Sequence, residues 1–271
     1  MSYIYETHLH TVESSACGKS HGADYIKYYQ EMGYAGIIVT DHFFNGNCAV
    51  PKNLPWNERI ELFCRGYELT KEAGDNAGFP VFFGWEDCYK GDEYLVYGLD
   101  KQWLLDHPDM LSWDHAEHYR QIHEAGGLVV QAHPFRDRDY LTGIHLHPHQ
   151  CDAWEIENAC NPLPQDIPSI LYAEKHNIPV TAGSDIHDFN QAVKGNCFGV
   201  SFDTPLTSIK DYVERIKKGT DYTLHETAER TEALAKEFAI HPGRPDNKLT
   251  IPIYLYNKEN VAEKVFFDTL F

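Results

Sequence analysis

The chain of 271 residues has no CxxC pair among its seven cysteines (17, 48, 64, 88, 151, 160 and 197). Scattered and odd in number, they read as free thiols of a reducing compartment rather than as a disulfide framework. No apolar stretch approaches the roughly eighteen residues that span a bilayer, which excludes a transmembrane helix and any membrane partner of that kind. The opening MSYIYETHLH has no basic region followed by an apolar one, so no secretory signal is expected and the expected location is cytoplasmic. Positive charge is scarce: 23 Lys and Arg stand against 41 Asp and Glu, a net −18. Such a surface repels phosphate backbones, which argues against a partner of long nucleic acid but not against a small phosphorylated substrate held by a metal and a few local cations. There is no GxGxxG, GxxxxGK[ST] or GxSxG stretch, and no low-complexity linker, internal repeat or evident domain break.

Histidine is what the chain has in excess, sixteen in all, within an otherwise ordinary globular composition (42% hydrophobic, 24% charged). Short β-rich runs alternate with helical patterns. Strands are expected over 3–7, 36–40, 81–85, 94–98, 128–132, 153–157, 179–182 and 198–202. Helices are expected over 23–32, 58–73, 115–124, 167–176 and 209–217. The alternation predicts βα units with a parallel sheet, in a number close to what a closed barrel needs. Segments 43–57, 86–93 and 134–152 read as long loops that follow strands, the loops that build the active site of a (β/α) barrel. The expected organisation is a barrel over 1–221, with 222–271 as an extension forming an edge or lid: a helix near 226–238, a turn at 241–243 and a strand-like 249–256.

Metal-ligand residue types recur at the strand ends. In "THLH", His8 and His10 share one face of a strand, because alternate side chains point the same way. "TDH" carries Asp41 and His42, "WED" carries Glu86 and Asp87, "AHPFR" carries His133 and Arg136, and "GSDIH" carries Asp185 and His187. Imidazole and carboxylate together suit Zn, Mn or Fe, and a carboxylate can bridge paired ions that act on a phosphoryl group.

This ordered set resembles the PHP (polymerase and histidinol phosphatase) superfamily over about residues 6–200. The resemblance implies a distorted (β/α)7 barrel with a multinuclear metal site at the C-terminal face of the strands. It implies two or three divalent ions and hydrolysis of a phosphoester. By the same resemblance His8, His10, Glu86 and Asp185 hold a first ion, Glu86 bridges to a second that also takes His133, and His42 and His187 hold a third. Two positions depart from the family pattern. The acid or histidine that usually follows HxH is replaced by a segment offering Glu13, Cys17, Lys19 and His21, and the histidine usual near the fourth strand is replaced by Glu93-Tyr94-Leu95. The third ion is therefore expected to be weakly held, Cys17 to be a plain loop thiol, and the 13–21 loop to contact substrate.

Around this core, Glu86 and Arg136 are the expected catalytic residues, Arg136 (with Arg138 beside it) as a bidentate phosphate grip. Asp41 is expected to orient a neighbouring ligand. His145, His147 and His149 are expected in a solvated loop, and Glu157 faces either core or site. The expected activity is metal-dependent hydrolysis of a small phosphomonoester by activated water. The alternatives left open are a nuclease or cyclic-nucleotide phosphodiesterase, hydrolysis of an amide or non-phosphate ester, and a metal-binding module without catalysis.

Overall fold

The computed structural model describes residues 2–243 and 246–271. Along the chain run β1 (Tyr3–Leu9), α1 (Gly22–Glu31), β2 (Gly36–Val39), α2 (Trp56–Phe63), α3 (Arg65–Ala77), β3 (Val81–Tyr89) and β4 (Asp92–Tyr97). Then come α4 (Lys101–Asp106), α5 (His115–Glu124), β5 (Leu128–Gln131), β6 (Ile144–Leu146), β7 (Ala153–Asn158), α6 (Leu163–His176) and β8 (Val180–Gly183). The last stretch holds α7 (Phe189–Val193), β9 (Gly199–Phe202), α8 (Ile209–Lys218), β10 (Tyr222–His225), α9 (Ala228–Ile240), β11 (Ile253–Tyr256) and β12 (Ala262–Val265).

Nine strands form one sheet in the order β10-β9-β1-β2-β3-β4-β5-β7-β8. Beyond β8 the chain returns to β1: Leu9 bridges Ile186, and His10 N–H donates to Ile186 O at 2.9 Å. That contact nearly closes seven strands, β1 to β5 with β7 and β8, into a distorted barrel, as expected. Strand β2 (GIIV) is buried at every position, the continuous apolar run of a parallel strand covered on both faces. Alternation divides the apolar residues of β4, β5 and β7 between two layers. Leu95, Val130 and Ala153 pack with Phe202 and Tyr212, while their neighbours Val96, Val129 and Trp154 pack with Phe135 and Tyr172.

The sheet is not all parallel. Segment 86–93, expected as a loop, is the tip of an antiparallel hairpin in which β3 runs on to Tyr89 and β4 returns from Asp92. The two-residue turn at Lys90-Gly91 has positive φ at both positions (55° and 95°), which matches the twist of the strands it joins. Acidic residues gave this stretch the look of a loop. They are buried in a strand because they have partners: Trp85 Nε1 and His118 Nε2 each lie 2.7 Å from Asp87 Oδ2. Strand β4 therefore runs against both its neighbours, and β9 separately runs against β1 and β10.

The extension is divided. Strand β10 joins the main sheet beside β9, whereas β11 and β12 form a second sheet with β6, register Ile253 to Ile144. Segment 134–152 thus contains a strand as well as a loop. Where α9 meets the barrel, Arg230 Nη2 reaches Asp166 Oδ2 and the carbonyls of Asn158 and Asn161. Glu157 faces this junction, not the site. Burial, then a hydrogen bond to Glu226, pushes its carboxyl up to about 9. A carboxyl raised on folding holds its proton more tightly in the folded state, so stability falls as pH climbs from its ordinary value of 4.5 through about 9. Glu157→Gln should therefore melt higher than the parent at pH 9 and no higher at pH 4. Thermal melts at both values check this, and an equal gap at both would contradict it.

Candidate metal centre

The N-terminal strand aims two imidazoles inward. His8 and His10 are fully buried with their Nε2 atoms 3.1 Å apart, while Leu9 between them points away and its N–H donates to Thr40 Oγ1 at 2.9 Å. Closure of the barrel carries Asp185 to this pair, with Oδ1 3.5 Å from His8 Nε2 and 3.2 Å from His10 Nε2. Glu86, in the middle of β3, lies at the centre. Its Oε1 is 3.2 Å from His8 Nε2 and 3.5 Å from His133 Nε2, and its Oε2 is 3.4 Å from His10 Nε2 and 2.7 Å from His42 Nδ1. His187 stacks on His10 with ring centres 4.3 Å apart, as does His42 on the same ring. All seven residues expected as ligands (His8, His10, His42, Glu86, His133, Asp185 and His187) lie in this one cluster.

Glu93 joins them. Its Oε1 is 3.7 Å from His42 Nδ1 and its Oε2 is 3.5 Å from His133 Nε2. Near the start of the antiparallel β4, it reaches the end of the barrel where the parallel strands finish. Ligand atoms converge within 4.8 Å of one another in four overlapping groups: His8-His10-Asp185, His8-Glu86-His133, His42-Glu86-Glu93 and His10-His42-His187.

A ring of hydrogen bonds fixes which nitrogen of each imidazole faces inward. His8 Nδ1–H donates to Glu155 Oε1 (2.9 Å), His10 Nδ1–H to Ser15 Oγ (3.2 Å) and His187 Nδ1–H to Asp185 O (2.8 Å), which leaves each Nε2 free as a ligand. Ser15 Oγ in turn donates to Asp41 Oδ1 at 2.6 Å and accepts the His42 N–H at 3.0 Å. Asp41 also accepts from Thr11 N–H and Thr11 Oγ1, so it orients the loop after HxH rather than touching the centre. Glu6 accepts from the N–H groups of His8 and Ser184 at 2.9 Å each, tying "HLH" to "GSD". Gly183 makes room for this: a Cβ there would sit 2.5 Å from both His8 Cβ and Glu155 Oε1. His133 and Asp185 hold left-handed backbone (φ 33° and 53°), strain that persists only where surroundings enforce it and that is common at functional sites.

Electrostatically, the carboxylates need cations beside them. Burial opposes ionisation of Glu86, but His8 and His42 prevail and hold it well below the usual range; Arg136 and His8 do the same for Asp185. Burial, then the charge of Glu86, pushes Glu93 up to about 8. Burial depresses His10 and His133, whereas His8 and His42 rise despite burial because carboxylates face them. Burial likewise opposes ionisation of Cys17, yet hydrogen bonds to His187 and His42 draw the thiol down to about 6. Both oxygens of Glu86, His42 Nδ1 and His133 Nε2 are buried with no hydrogen-bonded partner among the described residues; the 2.7 Å approach of His42 to Glu86 lacks hydrogen-bond geometry. Such orphaned groups call for an ion or water, and this nitrogen and oxygen donor set fits divalent Zn, Mn or Fe.

Other residues fall differently from expectation. Arg136 reaches the centre, but Nε is engaged by Asn161 Oδ1 (2.9 Å) and Nη2 by Asp185 Oδ2 (2.6 Å) and Asn158 Oδ1 (3.1 Å). No two of its nitrogens remain for a bidentate grip; only Nη1, 4.0 Å from Glu93 Oε2, is without a hydrogen bond among the described residues. Arg138 is spent on Gln165 and the Cys160 carbonyl. His145 pairs with Asp92, and His147 stacks on Tyr256 at 3.9 Å, so the histidine-rich stretch belongs to the second sheet. Glu13 pairs with His21 at 2.8 Å, away from the centre. Glu155 was hidden by a register shift between Glu155 and Glu157 that separates two glutamates otherwise on one face. Glu155→Gln should weaken metal affinity by about 10–100-fold, the usual cost of losing a ligand's hydrogen-bonding partner. Competition titration against a chelating dye measures it, and unchanged affinity would show that His8 needs no such partner.

No family model matches the chain, and no curated protein matches it. Solved structures do. A two-domain protein of Bacteroides vulgatus, containing a predicted PHP-like metal-dependent phosphoesterase, aligns with a TM-score of 0.62 at 16% identity over 83% of this chain. This chain spans 65% of the length of that protein. PsfC from Pseudomonas syringae aligns with a TM-score of 0.50 at 16% identity, over 87% of this chain and 96% of PsfC. In fold, the chain is a distorted barrel similar to that of the Bacteroides protein.

Proposed function

We propose that the protein is a metal-dependent phosphoesterase acting on a small phosphomonoester. The observation that carries this reading is Glu86: a fully buried carboxylate, without a hydrogen-bond donor among the described residues, set among His8, His10, His42 and His133. His8, His10, Glu86 and Asp185 would hold one ion. Glu86, Glu93 and His133 would hold a second, and His42 and His187 would contribute to a third. Bound divalent ions would supply a water acidified toward neutrality and positive charge opposite the non-bridging phosphoryl oxygens.

The chain's own residues do the rest. Glu155, Ser15 and the Asp185 carbonyl hold three imidazoles in the tautomer that presents Nε2. Arg136, fixed through Nε and Nη2, offers Nη1 to a phosphoryl oxygen and so orients the group. Neither nearby serine is free to attack: Ser14 Oγ donates to Phe63 O at 2.7 Å, and the Ser15 proton is committed to Asp41. The substrate is small and anionic, since a net charge of −18 disfavours long polynucleotides.

The test is a panel of p-nitrophenyl phosphate, its bis-ester, phosphorylated metabolites and an amide analogue, assayed with manganese or zinc. Turnover of monoesters above the bis-ester is expected. A preference for the bis-ester would favour a diesterase, and turnover of the amide alone would overturn phosphoester chemistry.

A further inference from the structure

We propose that Glu93 is a second carboxylate bridge of the metal centre, one oxygen serving the ion that takes His42 and Glu86, the other the ion that takes His133. This rests on the metal-centre reading. It gives the ion at His42 a further protein ligand and makes that side of the centre oxygen-rich.

Glu93 reaches the centre by hairpin register. Cys88 stands opposite Glu93 and Glu86 opposite Leu95, so Glu86 and Glu93 are diagonal neighbours on one face of the β3–β4 pair. Backbone hydrogen bonds then seat an imidazole beside each of them. Ala132 N–H donates to Glu93 O (2.9 Å), which brings the following His133 alongside β4. Glu86 N–H donates to Asp41 O (3.0 Å) and Phe43 N–H to Glu86 O (2.7 Å), which brackets His42. Both carboxylates thereby come between the same two imidazoles. Glu86 presents Oε1 to His133 Nε2 (3.5 Å) and Oε2 to His42 Nδ1 (2.7 Å). Glu93 presents Oε2 to His133 Nε2 (3.5 Å) and Oε1 to His42 Nδ1 (3.7 Å). Two donors bound to one ion at about 2.0–2.2 Å lie no more than about 4.4 Å apart, and all four separations fall inside that limit. Ligand atoms of His42, Glu86 and Glu93 converge as a group within 4.8 Å.

The donors are also unspent. Both oxygens of Glu86, His42 Nδ1 and His133 Nε2 are buried without a hydrogen-bonded partner among the described residues. Pairing with Arg136 does not account for Glu93. Nη1 lies 4.0 Å from Oε2, beyond hydrogen-bond reach, while Nη2 of the same guanidinium is 2.6 Å from Asp185 Oδ2. Read from sequence, the ion at His42 has only His187 as a second ligand, which predicts weak binding. The hairpin supplies two oxygens more. A neutral imidazole at position 93 would present one nitrogen to one ion, whereas a carboxylate presents an oxygen to each of two. Carboxylate donors suit manganese and imidazole suits zinc. Replacing Glu93 by histidine therefore leaves the ion at His42 short of a ligand and raises the ratio of zinc to manganese affinity.

Manganese-loaded crystals of the full chain and of Glu93→His, recorded at the manganese edge, test the assignment. In the parent, two ions should each have one Glu93 oxygen within about 2.6 Å, the outer limit for a hard cation bound by oxygen. In Glu93→His the ion beside His133 should persist and the one beside His42 should lose occupancy. Competition titration against a chelating dye should show manganese affinity at that position down by about 100-fold or more, since even the partners of ligands are worth 10–100-fold. The same titration with zinc should show the zinc-to-manganese ratio raised. Ions held by His8, His10, Asp185 and Glu86, with Glu93 touching one or none, would overturn the bridge and leave the metal centre standing. Full occupancy beside His42 in Glu93→His would overturn it too. A parent chain that retains no ion would overturn both. The parent crystal decides the point without the variant, should Glu93→His fail to fold.

Discussion

Stripping the protein with a chelator should abolish phosphoester hydrolysis and lower the melting temperature in the same step. Glu86, Asp185 and the imidazoles around them are taken out of water, and among the described residues the carboxylate oxygens of Glu86 have no hydrogen bonds to replace what water gave them. An ion present at 100 times its dissociation constant stabilises the folded state by about 2.7 kcal/mol. For a chain of this size that corresponds to a fall of roughly 5–10 °C when the ion is removed. Manganese, ferrous iron, cobalt or zinc should restore both properties, because the ligands are mainly nitrogen and oxygen. Hydrolysis that survives thorough stripping would rule out the mechanism proposed here.

Glu86→Gln should be the most damaging single substitution. The amide keeps the shape of the side chain but loses its charge and replaces one of its two ligand oxygens by an NH2 group, which cannot hold an ion. Removing one preorganised charge-stabilising group typically costs about 10²–10³ in kcat; because Glu86 faces the ligands of more than one ion, a loss at the upper end, roughly 10³-fold, is expected. His42→Ala, on the edge of the cluster, should cost less. Steady-state kinetics at saturating metal compare the two, and equal, small losses would show that Glu86 does not serve two ions.

The alternation of "THLH" was enough to place His8 and His10 on one face, and the recurrence of acid and imidazole at strand ends was enough to anticipate the cluster. The barrel was legible because β2, β3 and β5 begin as apolar runs and helices stand between β1 and β2, β2 and β3, and β7 and β8. What was illegible depended on tertiary partners. The β3–β4 hairpin was disguised by Glu86, Asp87, Asp92 and Glu93, acids that are tolerated in strands only because Trp85, His118, His145 and the imidazole cluster face them. The choice of Glu155 over Glu157 depended on an irregular register that no periodicity announces. Arg136 does lie beside the cluster, but the asparagines that occupy its fork, Asn158 at the end of β7 and Asn161 just beyond it, carry no signal of that contact.

The most direct measurement is anomalous diffraction from crystals of the metal-loaded protein, collected at the manganese and zinc edges. The account predicts at least two ions in one cluster, with His8, His10 and Asp185 around one and Glu86 and His133 contacting another, at distances of about 2.0–2.2 Å. Peaks confined to other parts of the molecule, or His8 and His10 more than about 4 Å from any common ion, would contradict it.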